Sequence, residues 1–502
     1  MIPTDKSQQV SFSEFLNTFN KTLKSVFYKR DNIEKFILKR GFPALVLRDI
    51  MATKPLSVAI PKEYGGRGTS AKECLGILDA ASYESLPLSL AFGINIALFL
   101  EPVSKYAQET VKKDIFDRFL YQQNMGGLMI TEPDHGSDAL NMQTSNIKKG
   151  SNYHIQGVKH WQGLTGMADY WLMTSRRKHE NGELGRDIDF FICDVQQEEQ
   201  RIHVEEYYNN IGLYPIPYGK NNIDIMVPEE YRFEPESTGL KIIMELFHRS
   251  RLQFSGMGMG FIRRMLDEAL KQVSTRIVGG KPLLALDQVK HQVSKIQNAF
   301  TINSAMCARS AELSGIENNL ISSGLEANSM KTHVSDLMQE SAQILTQLSG
   351  ANGYKIESVA SRGIMDSRPY QIFEGSNEML YTQISDMVVK MMGRQKSMNL
   401  FIFLKNYNLT KNAADFFKSF IDFKIELKMP QRKSVDLGKI ISRVISANQV
   451  VDLGAKGFRM DLINDSIESI KQEVSMLVSS YKFQIKTSPL VDYKQNSNWL
   501  AF

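Results

Sequence analysis

Cysteine is scarce in this 502-residue chain: Cys74, Cys193 and Cys307 are all there is. Odd in number and far apart, they suit neither a disulfide framework nor a zinc site, and a reducing cytoplasm is the expected home. Long apolar runs are missing as well. No stretch approaches the ~18 uninterrupted apolar residues of a bilayer-spanning helix. The opening MIPTDKSQQVSFSEF has no basic segment followed by an apolar one, so no export signal is expected. The eight histidines show no metal-ligand spacing, and no Ser/His/Asp nucleophile motif stands out. No internal repeat or low-complexity tract is visible. Charge of one sign is also lacking, with 60 Lys/Arg against 55 Asp/Glu. Without a dense basic block carrying interleaved aromatics, a nucleic-acid partner is not expected.

What is there is ordinary globular material, 42% hydrophobic and 23% charged. A chain of this length suggests about three domains and can bury about three quarters of its unfolded surface. The charge is uneven along it. From Lys396 onward 16 Lys/Arg face 10 Asp/Glu, an excess of +6 that leaves the first 395 residues at −1.

The periodicity divides the chain into four parts: a helical domain over 1–125, a β domain over 126–237, a helical bundle over 238–395 and a helical extension over 396–502. Phe12, Phe15, Leu16, Phe19 and Leu23 recur at helical spacing. AIPKEYGGRG (59–68) then breaks the pattern, and helical texture returns over 71–121. Past Gly126 come short β-favouring runs, GGLMIT, YHIQGVKHW, DYWLMTS and DFFICDV, whose spacing suggests an antiparallel sandwich or barrel. Long helices are expected over 240–277, 286–315 and 325–349. In the extension, KMPQRKS (428–434) separates two helical pieces. Apolar residues such as Phe416, Phe417, Phe420, Ile421 and Phe423 favour a docked segment over a loose tail.

Four segments could carry chemistry. GMGMGF (256–261) looks like a dinucleotide loop, but that fingerprint must follow a strand and open a helix. Here it lies inside helical texture, which points instead to small residues where two helices approach closely. ITEPDHGSD (130–138) reads either as a solvated turn or as exposed backbone groups at a strand end. The two tryptophans of KHWQGLTGMADYW (159–171) suit core packing, or the stacking of an indole on a planar cofactor. In YQIFEGSNE (370–378), Glu374 is either a helix-end residue or, buried among Ile372 and Phe373, a carboxylate of raised pKa fit for general-base work.

These segments, in this order, resemble the acyl-CoA dehydrogenase family of flavoproteins over about residues 10–395. AIPKEYGGRG resembles its N-terminal Pro-Glu-Tyr-Gly-Gly loop, and ITEPDHGSD its Thr-Glu-Pro-x-x-Gly-Ser-Asp signature. GVKHWQGLTGMADY, TRIVGGKPLLALDQ (275–288), QLSGANGY (347–354) and QIFEGSNE resemble four further family segments. The resemblance implies an α+β fold: an N-terminal helical domain, a central β-barrel and a C-terminal four-helix bundle, here followed by the helical extension. It implies FAD between barrel and bundle, reaching the neighbouring subunit of a homodimer or homotetramer.

By that resemblance, Leu128, Met129, Ile130 and Thr131 would place backbone groups against the flavin. Gly136 and Ser137 would reach the phosphate and pantetheine region, while Trp161 and Gly163 would lie at the flavin ring. Arg276, Gln288, Gln347, Gly350 and Ala351 would hold FAD across the interface, and Ser376 and Glu378 would touch it. Ser137, Arg251, Glu374 and Gly375 would meet the substrate. Glu374 resembles the base for the α proton of an acyl thioester, the hydride leaving the β carbon for flavin N5. Its backbone N–H would help polarise the thioester carbonyl. Some relatives carry the base on an earlier helix, at a position that is Ser250 here and cannot accept the proton.

Four positions depart from the family pattern. Gly163 stands for a Thr that hydrogen-bonds N5, with Thr165 two positions on, and Gly279 for a Phe. Met365 and Tyr381 each stand where an Arg is common. The implied activity is FAD-dependent dehydrogenation of an acyl thioester, acyl-CoA or acyl-carrier protein, with an electron-transferring flavoprotein as electron acceptor. The alternatives are an oxygen-reducing oxidase, or a weakly catalytic scaffold that binds an acyl carrier. The extension is expected to pack on the bundle; a salt-sensitive membrane contact is the less favoured outcome.

Overall fold

The computed structural model describes residues 10–29, 38–483 and 488–502; residues 1–9, where the expectation about an export signal begins, lie outside them. Helix α1 (Phe12–Lys29) buries Phe19 and Leu23, with Phe12, Phe15 and Leu16 packed on the same core. After α2 (Ala44–Met51), the Pro-Gly segment forms a short turn over Lys62–Tyr64, closed by Gly65 at φ 85°. The region 71–121 divides into α3 (Ala71–Glu84), α4 (Leu86–Asn95), α5 (Glu101–Tyr106) and α6 (Glu109–Tyr121). A π turn over Ile96–Leu100 joins α4 to α5. The run Leu86–Tyr106 is long and apolar enough to cross a membrane, with mean hydropathy 1.7, but 94% of its most apolar stretch is buried inside the protein. It is a core helix.

The β runs form strands close to where the pattern places them: β1 (Gly126–Met129), β3 (Asn152–His160), β4 (Tyr170–Arg177) and β5 (Asp189–Asp194). Three more complete the sheet: β2 (Ser145–Lys149), β6 (His203–Tyr207) and β7 (Gly219–Pro228). The order is β1-β4-β2-β3-β7-β6, with β5 on β4. The antiparallel expectation holds for β2–β3, β3–β7, β4–β5 and β6–β7. By contrast β1 and β2 both run parallel to β4. The chain between β1 and β4 explains this, because it contains the whole β2–β3 hairpin and so supplies the long crossover that parallel pairing requires. Burial alternates along β7, whereas β1 and the first six residues of β4 are buried throughout. The β1–β4 pair is thus covered on both faces.

The bundle is built on α7 (Gly239–Thr275), α8 (Asp287–Leu313), α9 (Gly324–Ser349) and α11 (Asn377–Arg394), with α10 (Val359–Ser367) between the last two. GMGMGF lies in the middle of α7, as its context suggested. A Cβ on Gly260 would overlap the Asp79 carbonyl of α3, and one on Gly258 would come 2.6 Å from Val334 Cγ1 of α9. Glycine lets α7 pass between its neighbours at backbone distance.

The extension comprises α12 (Leu400–Asn406), α13 (Lys418–Ile421), α14 (Gln431–Ala455) and α15 (Met460–Lys482). Helix α14 lies along α11, α9 and α8, and α15 covers α14 and α8. Phe417, Ile421, Leu437, Ile440, Ile441 and Val444 are buried in the common core, and a Cβ on Gly438 would overlap the Tyr381 carbonyl of α11. The extension is docked.

Gly260→Ala is expected to destabilise the protein by about 1–3 kcal/mol, the usual cost of overpacking. A thermal melt superimposable on that of the native chain would show that α3 and α7 can separate without cost.

Candidate active site

Glu374 sits in the short loop between Gln371 and the start of α11, with φ 53°, followed by Gly375 at φ 94°. A non-glycine residue held in this region stores of the order of 1–3 kcal/mol of strain and needs surroundings that enforce it. A Cβ on Gly375 would come 2.8 Å from the terminal Cε of Met379, which would have to move aside; the positive φ is what favours glycine there. The Ser376 hydroxyl caps α11 by accepting from Met379 N at 3.4 Å. Exposed Glu378 follows in the first turn.

The loop is gripped from α7 and α9. Arg251 donates through Nε and Nη2 to the Glu374 carbonyl at 3.2 and 2.8 Å, and through Nη1 to Asn328 Oδ1 at 2.7 Å. Lys331, fully buried, donates to the Gly375 carbonyl at 2.8 Å and to Asn377 Oδ1 at 2.9 Å. Two cations therefore hold two successive carbonyls. Arg251, expected at the substrate, is committed to this backbone grip.

The Glu374 side chain meets Ser250, whose Oγ donates to Oε1 at 2.8 Å. Oε2 is out of solvent and has no protein partner. Burial pushes this carboxyl above its ordinary range, against the opposing pull of Ser250, Arg251 and Lys331. Burial likewise pushes the Lys331 ammonium down to about 7. The burial does not come from Ile372, which is 57% exposed. It comes from α7 and from an aromatic cluster in which Phe254 packs edge-on against Tyr370 and Phe373, with centroids at 5.5 and 5.9 Å.

On the β-domain side, Trp161 has φ 59° and an indole that is 51% exposed, with Tyr208 at 4.5 Å and Tyr218 at 6.1 Å between ring centroids. It adjoins the β1 end: His160 N and Gln162 Nε2 both donate to the Thr131 carbonyl at 3.0 Å. Leu128 and Met129 are buried, Ile130 and Thr131 partly so. Beneath them a buried ion pair joins two of the sequence motifs. Lys159 Nζ donates to Glu132 Oε1 at 2.8 Å, and Glu132 also accepts from Thr144 N at 3.0 Å and Gln143 N at 2.5 Å. Gly136 and Ser137 lie in the exposed loop that follows.

Arg276 and the 347–351 segment are also neighbours. The guanidinium reaches the Leu348 carbonyl at 3.5 Å, and a Cβ on Gly350, at φ 60°, would come 3.2 Å from Arg276 Nη1. Gln347, Ala351 and Gln288 are exposed. Nearby in sequence, the β8–β9 hairpin (Ile277–Val278 with Lys281–Pro282) leaves Ile277, Val278 and Leu286 exposed.

Three family models match the chain in succession: the acyl-CoA dehydrogenase N-terminal domain over residues 17–122, the middle domain over 127–224 and the C-terminal domain over 237–389. The chain belongs to the acyl-CoA dehydrogenase family. An acyl-CoA dehydrogenase of Bacillus subtilis (strain 168) is 23% identical over 343 residues, covering 67% of this chain and 88% of its own length. A probable medium-chain specific acyl-CoA dehydrogenase 2, mitochondrial, of Caenorhabditis briggsae is 25% identical over 391 residues, 76% of this chain and 93% of its own. Among solved structures, an acyl-CoA dehydrogenase complexed with FAD from Bacillus anthracis superposes with TM-score 0.74 at 15% identity, covering 95% of this chain and 88% of that one. That coverage takes in the extension.

FAD is the cofactor of this acyl-CoA dehydrogenase family, and the residues present fit it in two respects. A partnerless buried carboxylate oxygen sits in the Glu374 loop, and a half-exposed indole stands beside the β1 end. One respect differs. A Cβ on Gly163 would come 2.8 Å from Ile94 Cδ1, so the family's threonine has no room here unless Ile94 moves. Thr165 does not substitute for it: it is fully buried, and its hydroxyl donates to the Gln162 carbonyl at 2.8 Å.

Sequence reasoning missed Lys331, Asn377 and Glu132. A lone lysine within the otherwise uncharged stretch ANSMKTHVS (327–335) of a predicted helix was a signal available in the sequence. So was the pairing of a Glu and a Lys within two adjacent motifs. Lys159→Met should cost about 3–5 kcal/mol, because it leaves the Glu132 carboxylate buried and unpaired. Adding Glu132→Gln should recover part of that loss in a denaturant melt. Two purely additive costs would mean the pair is not coupled.

Proposed function

We propose that this protein is an FAD-dependent acyl thioester dehydrogenase that converts an acyl-CoA to its trans-2-enoyl-CoA, with Glu374 as the base. The observation that carries this reading is the Glu374 carboxylate itself. One oxygen is held by Ser250 and the other is buried without a partner, on a backbone corner fixed by Arg251 and Lys331.

The chemistry follows from that environment. An α proton next to a thioester is weakly acidic, so its base must be strong and well placed. Burial strengthens Glu374 as a base by disfavouring the charged carboxylate. Ser250, Arg251 and Lys331 oppose the shift by favouring the charged form. The α proton passes to Oε2, and the β hydrogen leaves with its electron pair. Bound FAD supplies the two-electron acceptor. Leu128 to Thr131 and Trp161 would hold its ring, and Ser376 and Glu378 would lie beside it. Arg276, Gln288 and the 347–351 segment would hold the cofactor of a second subunit in a homodimer or homotetramer. Electrons would leave to an electron-transferring flavoprotein.

The test is turnover of an acyl-CoA panel with an artificial electron acceptor. Glu374→Gln should lower kcat ~10²–10⁴-fold while FAD stays bound, since the amide keeps the shape and loses the basicity. A variant retaining more than about a tenth of native activity would remove Glu374 from the role.

The pH profile carries a second expectation. The active form is the carboxylate, so the rate falls as pH drops through the Glu374 pKa, and that limb should lie above the ordinary carboxylate range. Ser250→Ala removes a hydrogen bond that favours the charged form, so the limb should move to still higher pH. A limb that stays in place or moves down would contradict the Ser250 contact.

A further inference from the structure

The family resemblance puts an arginine at position 381, where this chain has Tyr381. The structure shows what occupies the space instead. Tyr381, fully buried on α11, donates its hydroxyl to Asp336 Oδ2 at 2.5 Å and accepts from Arg443 Nη1 at 2.7 Å. Arg443 lies on α14, in the extension. Its Nη2 reaches Asp336 Oδ2 at 3.0 Å and its Nε reaches Glu473 Oε1 on α15 at 2.8 Å. Resting on Glu374 as the base, we propose that the C-terminal extension supplies a positioning residue to the active site: Arg443 takes the place of the missing arginine and anchors the hydrogen bonds that hold the Glu374 loop.

The connection runs through one carboxylate. Asp336 Oδ1 accepts from Gln371 Nε2 and from Asn377 Nδ2, each at 2.8 Å. These residues lie three positions before and three positions after Glu374, so a single carboxylate ties both ends of the loop. Asn377 Oδ1 in turn receives Lys331, which holds the Gly375 carbonyl. Asp336 does this best while it is ionised, because a carboxylate accepts more strongly than a carboxylic acid. Burial alone would raise its pKa, but the Arg443 charge, with hydrogen bonds from Tyr381, Arg443 and Gln371, holds it below the usual range.

Few other groups could take over. His333, on the same helix, is pushed well below its ordinary pKa by burial and then by Arg443, and its Nδ1 is engaged with Ser446 Oγ at 2.7 Å. Lys439 stands over the Tyr381 ring at 5.6 Å. Glu473 adds negative charge, and Lys331 is committed to the loop. Without the Arg443 guanidinium, the Asp336 carboxylate loses its countercharge and the donor that orients Tyr381, and it holds both amides less firmly. The loop ends slacken, and a base displaced by about 1 Å can lose ~10²-fold in rate.

The test uses the full-length, FAD-loaded protein. Arg443→Met should lower kcat by about 10- to 100-fold with little change in KM and with FAD retained. Arg443→Lys, which keeps the charge but not the fork, should lose less. Returning the guanidinium to its family position, Tyr381→Arg in the Arg443→Met background, should restore kcat to within a few-fold of native. Amide hydrogen exchange provides a reading independent of turnover: in Arg443→Met, exchange should rise over 371–377 while 431–455 keeps its protection. Native kcat in Arg443→Met would overturn the proposal. So would loosening of 431–455 together with the loop, unrelieved by Tyr381→Arg, because that pattern belongs to an undocked extension. If the native protein oxidises no thioester, the dehydrogenase reading fails on that result, and exchange alone then decides whether Arg443 holds the loop.

Discussion

A carboxylate taken out of water must be compensated by fixed dipoles and charges, and the structure around Glu374 is arranged to meet that requirement. Its backbone sits in a left-handed conformation that a glutamate adopts only under constraint. The constraint comes from Arg251 on one carbonyl and Lys331 on the next. Those side chains reach the loop because α7 and α9 lie against each other, and they lie that close because α7 carries glycine where the helices touch. A local electrostatic need at one side chain thus rests on the packing of a 37-residue helix.

The β domain answers the same need in its own way. Lys159 and Glu132, both buried, close the junction between the end of β1 and β3, next to Trp161. The pair fixes the backbone between the end of β1 and Trp161. The bundle fixes a base, the sheet fixes a surface, and in both places the polar groups out of water are paired with few exceptions among the described residues. Glu374 Oε2 is one of those exceptions, and it is the atom to which the proposed reaction delivers the α proton.

Much of the fold was legible because it depends on local periodicity. The helices expected at 240–277, 286–315 and 325–349 appear at 239–275, 287–313 and 324–349. Strand β2 was not legible, since its sequence SNIKK is nearly all polar and only Asn146 is buried. Parallel pairing to β4 leaves no local mark either. At the site, the motif drew attention to Glu374, but one part of its expected surroundings differs: Ile372 faces solvent. Ser250 had been noted only as a serine that could not be the base, and it proves to hydrogen-bond the Glu374 carboxylate. The groups holding the loop come from positions 251, 328, 331, 336 and 443. No window of sequence contains them together, and each alone looks like an ordinary polar residue on a helix.

The docking of α14 also bears on the order in which the molecule is completed. Domains fold largely in the order of synthesis, at about 5–20 residues per second. Glu374 and the α7, α8 and α9 helices are made well before Arg443 and Glu473, which neutralise and flank Asp336. At that rate the two sets of residues are separated by a period of seconds. The bonds that tie Asp336 to Arg443 can therefore form only once α14 has been made, after every other group that touches the 371–377 loop.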